Sequence, residues 1–475
     1  MPPANCQSSS GASLLSSTSL EDLDRRTLIH PYTSIADHEA SGPMIIDSAD
    51  GVRIRDRAGN EYIDAMAGLW CVNVGYGRTE LIDAMAEQGR KLPYYHLFAS
   101  MSNEPAIRLA KRLTDLAPAN LTKVFFANSG SEANDTQIKI VRYYNNVLGR
   151  PRKKKILSRQ AAYHGVTLGA TSLSGLPPMH GVFDLPLDGF LHLSRPHHYW
   201  DAPVGTTEEE FSAILGRELE QKIDEEGADT IAAMIVEPVM GAGGVIVPPQ
   251  GYFENIVPIL RANDILLIVD EVICGFGRLG RWFGSERFGL EPDLMSIAKG
   301  LTSGYFPMSA SVVSEEIWEV LRKGSEVHGP FSHGHTYTAH PLAAATAMAN
   351  LDVIERDGLI EKAAQTEPYL QNRLRTALAD HPLVGEVRGL GMLAAVELVA
   401  QKTAKTPFAP EMKAGQRLSN LLREEGVISR AMRDTLAMSP PLILERADVD
   451  TIVDAFALCL DRLVPELEST GWAAG

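Results

Sequence analysis

Short apolar runs recur through the middle of the chain and are separated by longer segments with helical periodicity. They lie at residues 123–127, 231–236, 265–269, 294–298 and 309–313, and Lys123 is the one charged residue in them. Runs that are apolar at consecutive positions are typical of strands covered by helices on both faces. The pattern predicts an α/β protein with a mostly parallel sheet.

The two ends of the chain follow other patterns. Residues 1–25 are serine-rich and lack apolar periodicity, so they are predicted to form a disordered arm. Alternating apolar residues after Met44 flank turn signals and predict a small antiparallel unit. Helices and short strands are expected after Pro341, ending in an amphipathic helix that begins at Asp448. We predict a large domain at 79–340 and a smaller domain built from 26–78 and 341–475.

The net charge of the chain limits the classes of partner that we expect. Forty-four basic and 60 acidic residues give a net charge of −16, which disfavours nucleic acid and anionic membranes as partners. No apolar run is long enough to span a bilayer, and the N-terminus does not resemble a signal peptide. The expected location is the cytoplasm.

The cysteines and histidines do not predict a metal site. The four cysteines are scattered without a CxxC pair, which favours reduced, packed thiols over zinc ligands or disulfides. His197-His198 and the pair His333 and His335 lack carboxylates or cysteines at ligand spacing, so they are interpreted as loop or surface histidines.

A lysine follows one of the predicted strands. Residues 294–300 (LMSIAKG) place Lys299 at the carboxyl end of the strand, where ligands bind in open α/β sheets. Burial there would favour the neutral amine, which is the nucleophile needed for a Schiff base with a carbonyl. Taken alone, the segment is equally compatible with a lysine that ends a strand at the surface.

A carboxylate follows another predicted strand and strengthens the interpretation. Asp270 lies 29 residues before Lys299, one strand-helix-strand unit away, so both side chains can reach one crevice. A buried carboxylate needs a cationic partner, and a pyridinium nitrogen is one. Aspartate at a pyridinium with lysine at the aldehyde is the arrangement that binds pyridoxal phosphate.

Two further strand ends complete the hypothesis. Gly130 and Ser131 open a helix after residues 123–127, where free amides and the helix dipole favour a phosphate; an ordinary serine cap is the alternative. Tyr163 and His164 follow a strand predicted from Lys155, and the ring of Tyr163 could lie on a planar heterocycle or simply pack.

One glycine motif suggests a different cofactor. Residues 275–280 read GFGRLG, the glycine spacing of a dinucleotide-binding turn. Residues 270–274 separate these glycines from the strand, and no acidic residue follows about 20 positions later, so the NAD interpretation is disfavoured.

At these residues the sequence resembles the class III aminotransferases, which are pyridoxal phosphate enzymes of fold type I. The resemblance covers about residues 30–465 and rests on the segments SGSEAND, AYHG, VEPVMGAGG, VDEVICGFGRLG, SIAKG and HTYTAHP. Residues 67–78 and 428–444 are similar to the amine:pyruvate omega-transaminases. The resemblance implies a seven-stranded, mostly parallel sheet in the large domain, beside the smaller α/β domain.

The resemblance also implies roles for individual residues. Lys299 would form the Schiff base and move the proton, and Asp270 would pair with the pyridine nitrogen. Tyr163 and Val272 would enclose the ring, and Glu237 would support its phenolic edge. The remaining cofactor-binding residues would hold the phosphate or line the site, with Thr336 contributed by the partner subunit of a homodimer or of a dimer of dimers: Ser129, Gly130, Ser131, His164 and Thr336.

The resemblance also implies which residues bind the substrate. Trp70 and Phe98, with Tyr163, would wall the pocket. Arg430 matches the mobile arginine that binds the carboxylate of pyruvate or an amino acid, and Arg433 is the alternative for that role.

The predicted function is transfer of the amino group of a primary amine or omega-amino acid to pyruvate by a ping-pong mechanism. An aminomutase, racemase or decarboxylase of the same fold is the close alternative. A NAD-linked oxidoreductase or a non-catalytic binding protein is the alternative from another class.

Overall fold

The structure is a computed structural model that describes residues 19–472. The chain divides into two compact units. Within the described residues, the first consists of residues 19–49 together with Ile54–Glu61, and the second consists of Asp50–Arg53 and residues 62–472.

Helices and strands alternate along most of the chain. The helices are α1 (Leu20–Thr27), α2 (Ile35–Ser41), α3 (Ala67–Trp70), α4 (Thr79–Lys91), α5 (Glu104–Leu116), α6 (Gly130–Val147), α7 (Leu168–Leu173), α8 (His198–Asp201), α9 (Glu208–Glu226), α10 (Tyr252–Ala262), α11 (Gly284–Arg287), α12 (Glu315–His328), α13 (Pro341–Arg356), α14 (Leu359–Leu378), α15 (Ala414–Glu424) and α16 (Arg446–Glu468). The strands are β1 (Ile46–Asp50), β2 (Arg53–Asp56), β3 (Glu61–Asp64), β4 (Leu121–Ala127), β5 (Lys155–Arg159), β6 (Phe190–Leu193), β7 (Ile231–Val236), β8 (Leu266–Asp270), β9 (Leu294–Ile297), β10 (Ser309–Ser314), β11 (Val384–Leu390), β12 (Leu393–Leu398), β13 (Val427–Ile428), β14 (Arg430–Met432) and β15 (Thr435–Met438).

A seven-stranded sheet forms the centre of the second unit. Its order is β4-β10-β9-β8-β7-β5-β6. The neighbours from β9 to β6 pair in parallel, and β10 runs antiparallel to both β9 and β4. The five apolar runs of the sequence all lie in this sheet, which confirms the predicted α/β class and mostly parallel arrangement.

Helices cover both faces of this sheet, as the strand β7 illustrates. Every residue of β7 is buried. Met234 and Val236 pack in one cluster with α9 and α10, whereas Ala233 and Ile235 pack in another with α6. Alternate side chains of a strand point to opposite faces, so two helical layers bury the whole strand.

The C-terminal part of the chain forms a second, antiparallel sheet. Its order is β11-β12-β15-β14, and the helices α14 and α16 contribute to the same apolar core. The helix α16 begins at Arg446, two residues before the predicted start, and its apolar stripe is buried as expected. Ile63 of β3 pairs in parallel with Val427 of β13, so the two ends of the chain share a sheet. The predicted domain boundaries stay a prediction.

One prediction needs correction. Residues 1–18 of the predicted disordered arm lie outside the described residues, but Leu20–Thr27 forms the helix α1. Ser19 caps this helix, and acidic residues in its first turn and basic residues in its last turn favour it. His197 lies in a loop, as predicted, and it is buried, with Nε2 3.1 Å from Oε2 of Glu386. Within residues 19–472, none of the helices combines the length and apolar character that crossing a membrane requires.

Candidate active site

The predicted lysine and aspartate lie at the ends of neighbouring strands. Asp270 is the last residue of β8 and pairs with Ser296 of the parallel strand β9, three residues before Lys299. Lys299 begins a short 3₁₀ turn with a positive φ of 45°. Non-glycine residues rarely adopt this conformation, and those that do are frequent at functional sites.

Lys299 and Asp270 line one cavity. It contains about 480 Å³ of space between atoms, its mouth included. Eleven residues line it: Gly130, Ser131, Tyr163, His164, Gly165, Glu237, Asp270, Val272, Ile273, Ala298 and Lys299. Eight of them were predicted as site residues, and Gly165, Ile273 and Ala298 are additions.

Three hydrogen-bond contacts hold the carboxylate of Asp270. Its Oδ2 accepts from the amide of Asn134 at 2.9 Å and lies 2.8 Å from Nδ1 of His164, while Oδ1 accepts from the backbone N–H of Val272 at 3.1 Å. Asp270 and His164 are both buried. These three donors fix the orientation of the carboxylate.

Burial controls the protonation of Lys299. It lowers the pKa of the Lys299 ammonium, whereas the negative charge of Asp270 acts in the opposite direction. The neutral amine of a buried lysine is a nucleophile toward carbonyl groups and a base for proton transfer.

The N-terminus of α6 forms another wall of the cavity. A Cβ at Gly130 would lie 3.2 Å from both methyl groups of Val272, and a Cβ at Gly165 would lie 2.4 Å from Oγ of Ser131. Glycine at both positions therefore lets the backbone approach the cavity closely. Backbone N–H groups at the start of an 18-residue helix favour an anion.

Glu237 braces the turn that carries Tyr163. Its Oε1 accepts from the backbone N–H of Tyr163 at 3.1 Å, and its Oε2 accepts from that of Gly241 at 2.9 Å. Burial raises the pKa of Glu237. The carboxyl group thus connects two loops that approach the cavity from adjacent strands, β5 and β7.

Ser129 and Thr336 are predicted cofactor-binding residues, and both lie outside the lining of the cavity in this chain. The hydroxyl of Ser129 accepts from the backbone N–H of Glu132 and caps α6. The carbonyl of Thr336 accepts from the hydroxyl of Tyr94. The predicted contribution of Thr336 across a subunit interface stays a prediction.

Of the predicted substrate residues, Tyr163 lines the cavity, whereas Trp70, Phe98 and Arg430 lie outside its lining. Trp70 is buried and packs in one apolar cluster with Ile273, which does line the cavity, whereas Phe98 is half exposed. Arg430 lies half-buried on β14, and its charge is among the influences that lower the pKa of Lys299. Arg433 is exposed in the turn after β14, with a positive φ of 55°.

The GFGRLG segment serves packing rather than phosphate binding. A Cβ at Gly277 would lie 2.6 Å from Cδ1 of Leu442, and one at Gly280 would lie 3.1 Å from Cα of Ala364. The helix that follows, α11, begins only at Gly284 and has four residues. A dinucleotide-binding turn opens directly into its helix, so this segment lacks the required context.

Sequence reasoning missed two residues that support the site. Besides Asp270, Asn134 also binds the backbone carbonyl of His164, at 2.7 Å, and its own Oδ1 accepts from the hydroxyl of Ser296 at 2.5 Å. Asn134 follows Gly130 by four positions, and residues at this spacing share one face of a helix. That spacing in SGSEAND was the available signal. The sequence gives no such indication for Ser296, because a serine inside a buried strand is usually there for its small size.

Comparisons with known proteins agree with this geometry. The model of the family described as aminotransferase class-III matches residues 34–460. A putrescine–pyruvate aminotransferase of Pseudomonas aeruginosa is 47% identical, covering 93% of this chain and 95% of that protein. A diaminobutyrate–2-oxoglutarate transaminase of Halomonas elongata is 46% identical, covering 95% and 98%.

A solved structure extends the agreement to three dimensions. The omega transaminase from Pseudomonas jessenii, in complex with PMP, is 47% identical and superposes with a TM-score of 0.93, covering 95% of this chain and 99% of that one. Family, sequence and fold agree over nearly the whole chain, which therefore belongs to the class III aminotransferases.

Proposed function

We propose that this aminotransferase moves the amino group of a primary amine or omega-amino acid to pyruvate, giving alanine, with pyridoxal phosphate as its cofactor. Class III aminotransferases depend on pyridoxal phosphate in general. The observation that carries the proposal is one buried cavity lined by the amine of Lys299, the carboxylate of Asp270 and the N-terminus of α6.

The residues of the cavity fit this cofactor. An aldehyde needs a neutral amine, a pyridinium needs a carboxylate, and a phosphate needs backbone N–H groups. Lys299, Asp270 and the turn of Gly130 and Ser131 supply these three groups. The close approach at Gly130, where a Cβ would contact Val272, keeps the cavity open beside the helix N-terminus.

When bound, pyridoxal phosphate supplies an aldehyde that bonds covalently to an amine and a protonated ring that accepts an electron pair. Asp270 would hold the proton at the ring nitrogen, oriented by hydrogen bonds from Asn134 and the backbone of Val272. Tyr163 and Val272 would enclose the ring. Gly130 and Ser131 would hold the phosphate.

Lys299 would do the proton transfer. Burial lowers the pKa of the Lys299 ammonium, so the neutral amine is available. This amine would remove a proton from the substrate carbon, carry it on Nζ and then donate it again. The same residue serves both half-reactions, since the second reverses the first with pyruvate. Glu237 would hold Tyr163 in place through the backbone.

The names of the relatives support the proposed substrates. The Pseudomonas aeruginosa protein is a putrescine–pyruvate aminotransferase, and the Pseudomonas jessenii protein is an omega transaminase. Both support a terminal amine as donor, and the first supports pyruvate as acceptor. The Halomonas elongata protein is named for 2-oxoglutarate, so the acceptor is the part of the proposal that most needs measurement.

The test is a panel of putrescine, 2,4-diaminobutyrate and 4-aminobutyrate, each with pyruvate and with 2-oxoglutarate. We expect alanine from pyruvate with at least one terminal amine. Glutamate from 2-oxoglutarate without alanine would overturn the acceptor. Conversion of a donor with formation of neither alanine nor glutamate would favour an aminomutase, racemase or decarboxylase instead.

We propose further that the active form is a homodimer in which Thr336 of the partner subunit contributes to the phosphate site. Mixing two inactive or weakened variants tests this. A mixed dimer of the Lys299→Ala and Thr336→Val chains would contain one site with both native residues if Thr336 acts across the interface. Restored activity is expected. Activity no higher than that of Thr336→Val alone would place Thr336 in its own subunit's site or in none. The predicted cytoplasmic location stays a prediction.

A further inference from the structure

Two short helices of the first unit bring three metal-ligand atoms together. Asp24 lies on α1, His38 lies on α2, and His30 lies in the connection between them. Nε2 of His30 is 3.0 Å from both carboxylate oxygens of Asp24, and Nε2 of His38 is 2.9 Å from Oδ1. One ligand atom from each residue lies within 4.8 Å of the other two, and residues 19–472 contain no second group of this kind.

Local structure holds these side chains in place. Ser19 accepts from the backbone N–H of Asp22 at the start of α1, and Ser34 does the same for Asp37 at the start of α2. The rings of His30 and His38 pack with their centroids 4.2 Å apart and their planes inclined by 37°. Both rings therefore present Nε2 to the same carboxylate.

We infer that Asp24, His30 and His38 bind a divalent transition-metal ion of the Zn²⁺ type. Two imidazole nitrogens and one carboxylate oxygen form a donor set that zinc prefers, with water in the fourth position. Bonds of about 2.0 Å in a tetrahedron separate ligand atoms by about 3.3 Å. The nitrogen–oxygen distances of 2.9–3.0 Å thus need to open by only a few tenths of an ångström.

Metal binding requires a change of tautomer at the two imidazoles. Without an ion, each Nε2 donates its hydrogen to Asp24. An ion needs the lone pair of each Nε2, so the proton of each neutral ring moves to Nδ1 through solvent. The carboxylate then exchanges two hydrogen bonds for a bond to the cation, and no residue is oxidised or reduced.

The cluster is accessible to solvent and shares no residue with the catalytic cavity. The side chains of His30, His38 and Asp24 are 29%, 11% and 15% exposed, so an ion can enter from solvent. All residues that line the catalytic cavity belong to the second unit. The ion would join α1, α2 and their connection, and it would stabilise this unit because the unfolded segment offers no preformed site.

Zn²⁺ titration of the chelator-treated holoenzyme tests the inference, with bound zinc counted by elemental analysis. Asp24→Asn and His38→Gln remove ligands, whereas Glu39→Gln and His328→Gln alter an exposed carboxylate and an exposed imidazole outside the cluster. We expect wild type and both control variants to hold one high-affinity Zn²⁺ per chain, and each ligand variant to bind it about 100-fold more weakly or worse. Equal zinc binding by the ligand and control variants would overturn the inference.

A second measurement uses the wild-type protein and so does not depend on how the variants fold. Diethylpyrocarbonate modifies accessible imidazole nitrogens, and peptide mapping locates the products. Zn²⁺ should protect His30 and His38 while leaving the modification of His328 unchanged. Equal modification of His30 and His38 with and without zinc would contradict the proposed coordination.

Discussion

Nδ1 of His164 lies 2.8 Å from Oδ2 of Asp270, and both side chains are buried at the carboxyl end of the central sheet. Asn134 donates to the same oxygen from α6. The carboxylate is thus fixed by groups from two loops and a helix rather than by its own strand. A negative charge held in this way is available to stabilise a cation in the adjoining cavity.

Asn134→Ala tests the support of Asp270. The change removes one hydrogen bond to a charged group, a contribution of about 1.5–3 kcal/mol. If that contribution acts on the transition state, kcat should fall about 10- to 100-fold. Asn145→Ala is the matched control, because Asn145 is also buried on α6 but donates to the backbone of Val141. Equal losses of kcat in the two variants would show that Asn134 has only a structural role.

Tyr76 stabilises the short, irregular helical turn α3, which carries Trp70. Its hydroxyl donates to Oδ2 of Asp64 at 2.6 Å, and the same oxygen accepts from the backbone N–H of Gly68. Ala67, Gly68 and Trp70 all have positive φ, so the turn is strained and depends on such contacts. Burial and the charge of Asp64 raise the pKa of Tyr76 well above its usual range, which keeps it a donor.

Tyr76→Phe should therefore loosen this turn, which is predicted to wall the substrate pocket through Trp70. We expect a loss of about 1.5–3 kcal/mol in the free energy of unfolding and a larger change in KM for the amine than in kcat. Chemical denaturation and steady-state kinetics measure the two effects. Tyr95→Phe, at an exposed tyrosine, is the control. An unchanged KM with the expected loss of stability would refute the role of the turn in substrate binding.

Glu271 predicts a specific pH dependence of stability. Burial raises its pKa from 4.5 to about 7, although the backbone N–H groups of Gly284 and Ser285 oppose the shift. Between these two pH values the folded protein binds more protons at this site than the unfolded chain. The contribution of Glu271 to stability is therefore complete below about pH 4.5 and is lost as the pH rises to about 7, by about 3 kcal/mol.

Glu271→Gln should remove this dependence, because glutamine does not titrate. The free energy of unfolding, measured against pH, should have a less negative slope between pH 4.5 and 7 than in wild type. Glu291→Gln, at an exposed glutamate, should leave the slope unchanged. Parallel curves for wild type and Glu271→Gln would contradict the raised pKa.

Arg430 and Arg433 differ in position, and this difference predicts which one binds carboxylates. Arg430 is half-buried and its charge influences Lys299, whereas Arg433 is exposed in a turn. Arg430→Ala should raise KM for pyruvate at least 10-fold, because a bidentate contact is lost, and should spare an uncharged amine. Arg433→Ala is the control. A selective loss with pyruvate in Arg433→Ala, and not in Arg430→Ala, would reverse the assignment.

Much of the fold was predictable because buried strands have an unmistakable pattern. The five apolar runs became strands of one sheet, and the ends of β8 and β9 brought Asp270 and Lys299 together. The order of the strands was not predictable, since β10 lies between β9 and β4 although β4 is remote in sequence. Pairing between remote strands depends on the packing of the whole domain.

The candidate site was predictable at strand ends and less so elsewhere. Gly130, Tyr163 and Glu237 all follow strands and line the cavity. The predicted cofactor-binding role of Ser129 stays a prediction, because a serine at a helix N-terminus serves equally as a cap, and its hydroxyl caps α6 here. The cluster of Asp24, His30 and His38 escaped notice because its spacing resembles no metal-binding motif and depends on how two helices fold together.

Lys299 is expected to bond covalently to the cofactor, and borohydride reduction followed by mass spectrometry detects that bond. The holoenzyme is treated with borohydride, digested and mapped. Lys153→Ala is the matched control, because burial also lowers the pKa of Lys153, whose amine donates to the backbone of Ala228 and Asn263. We predict that the cofactor's mass is found on the peptide containing Lys299 in wild type and Lys153→Ala, and is absent in Lys299→Ala. Cofactor attached to another lysine, or none attached to wild type, would contradict the account.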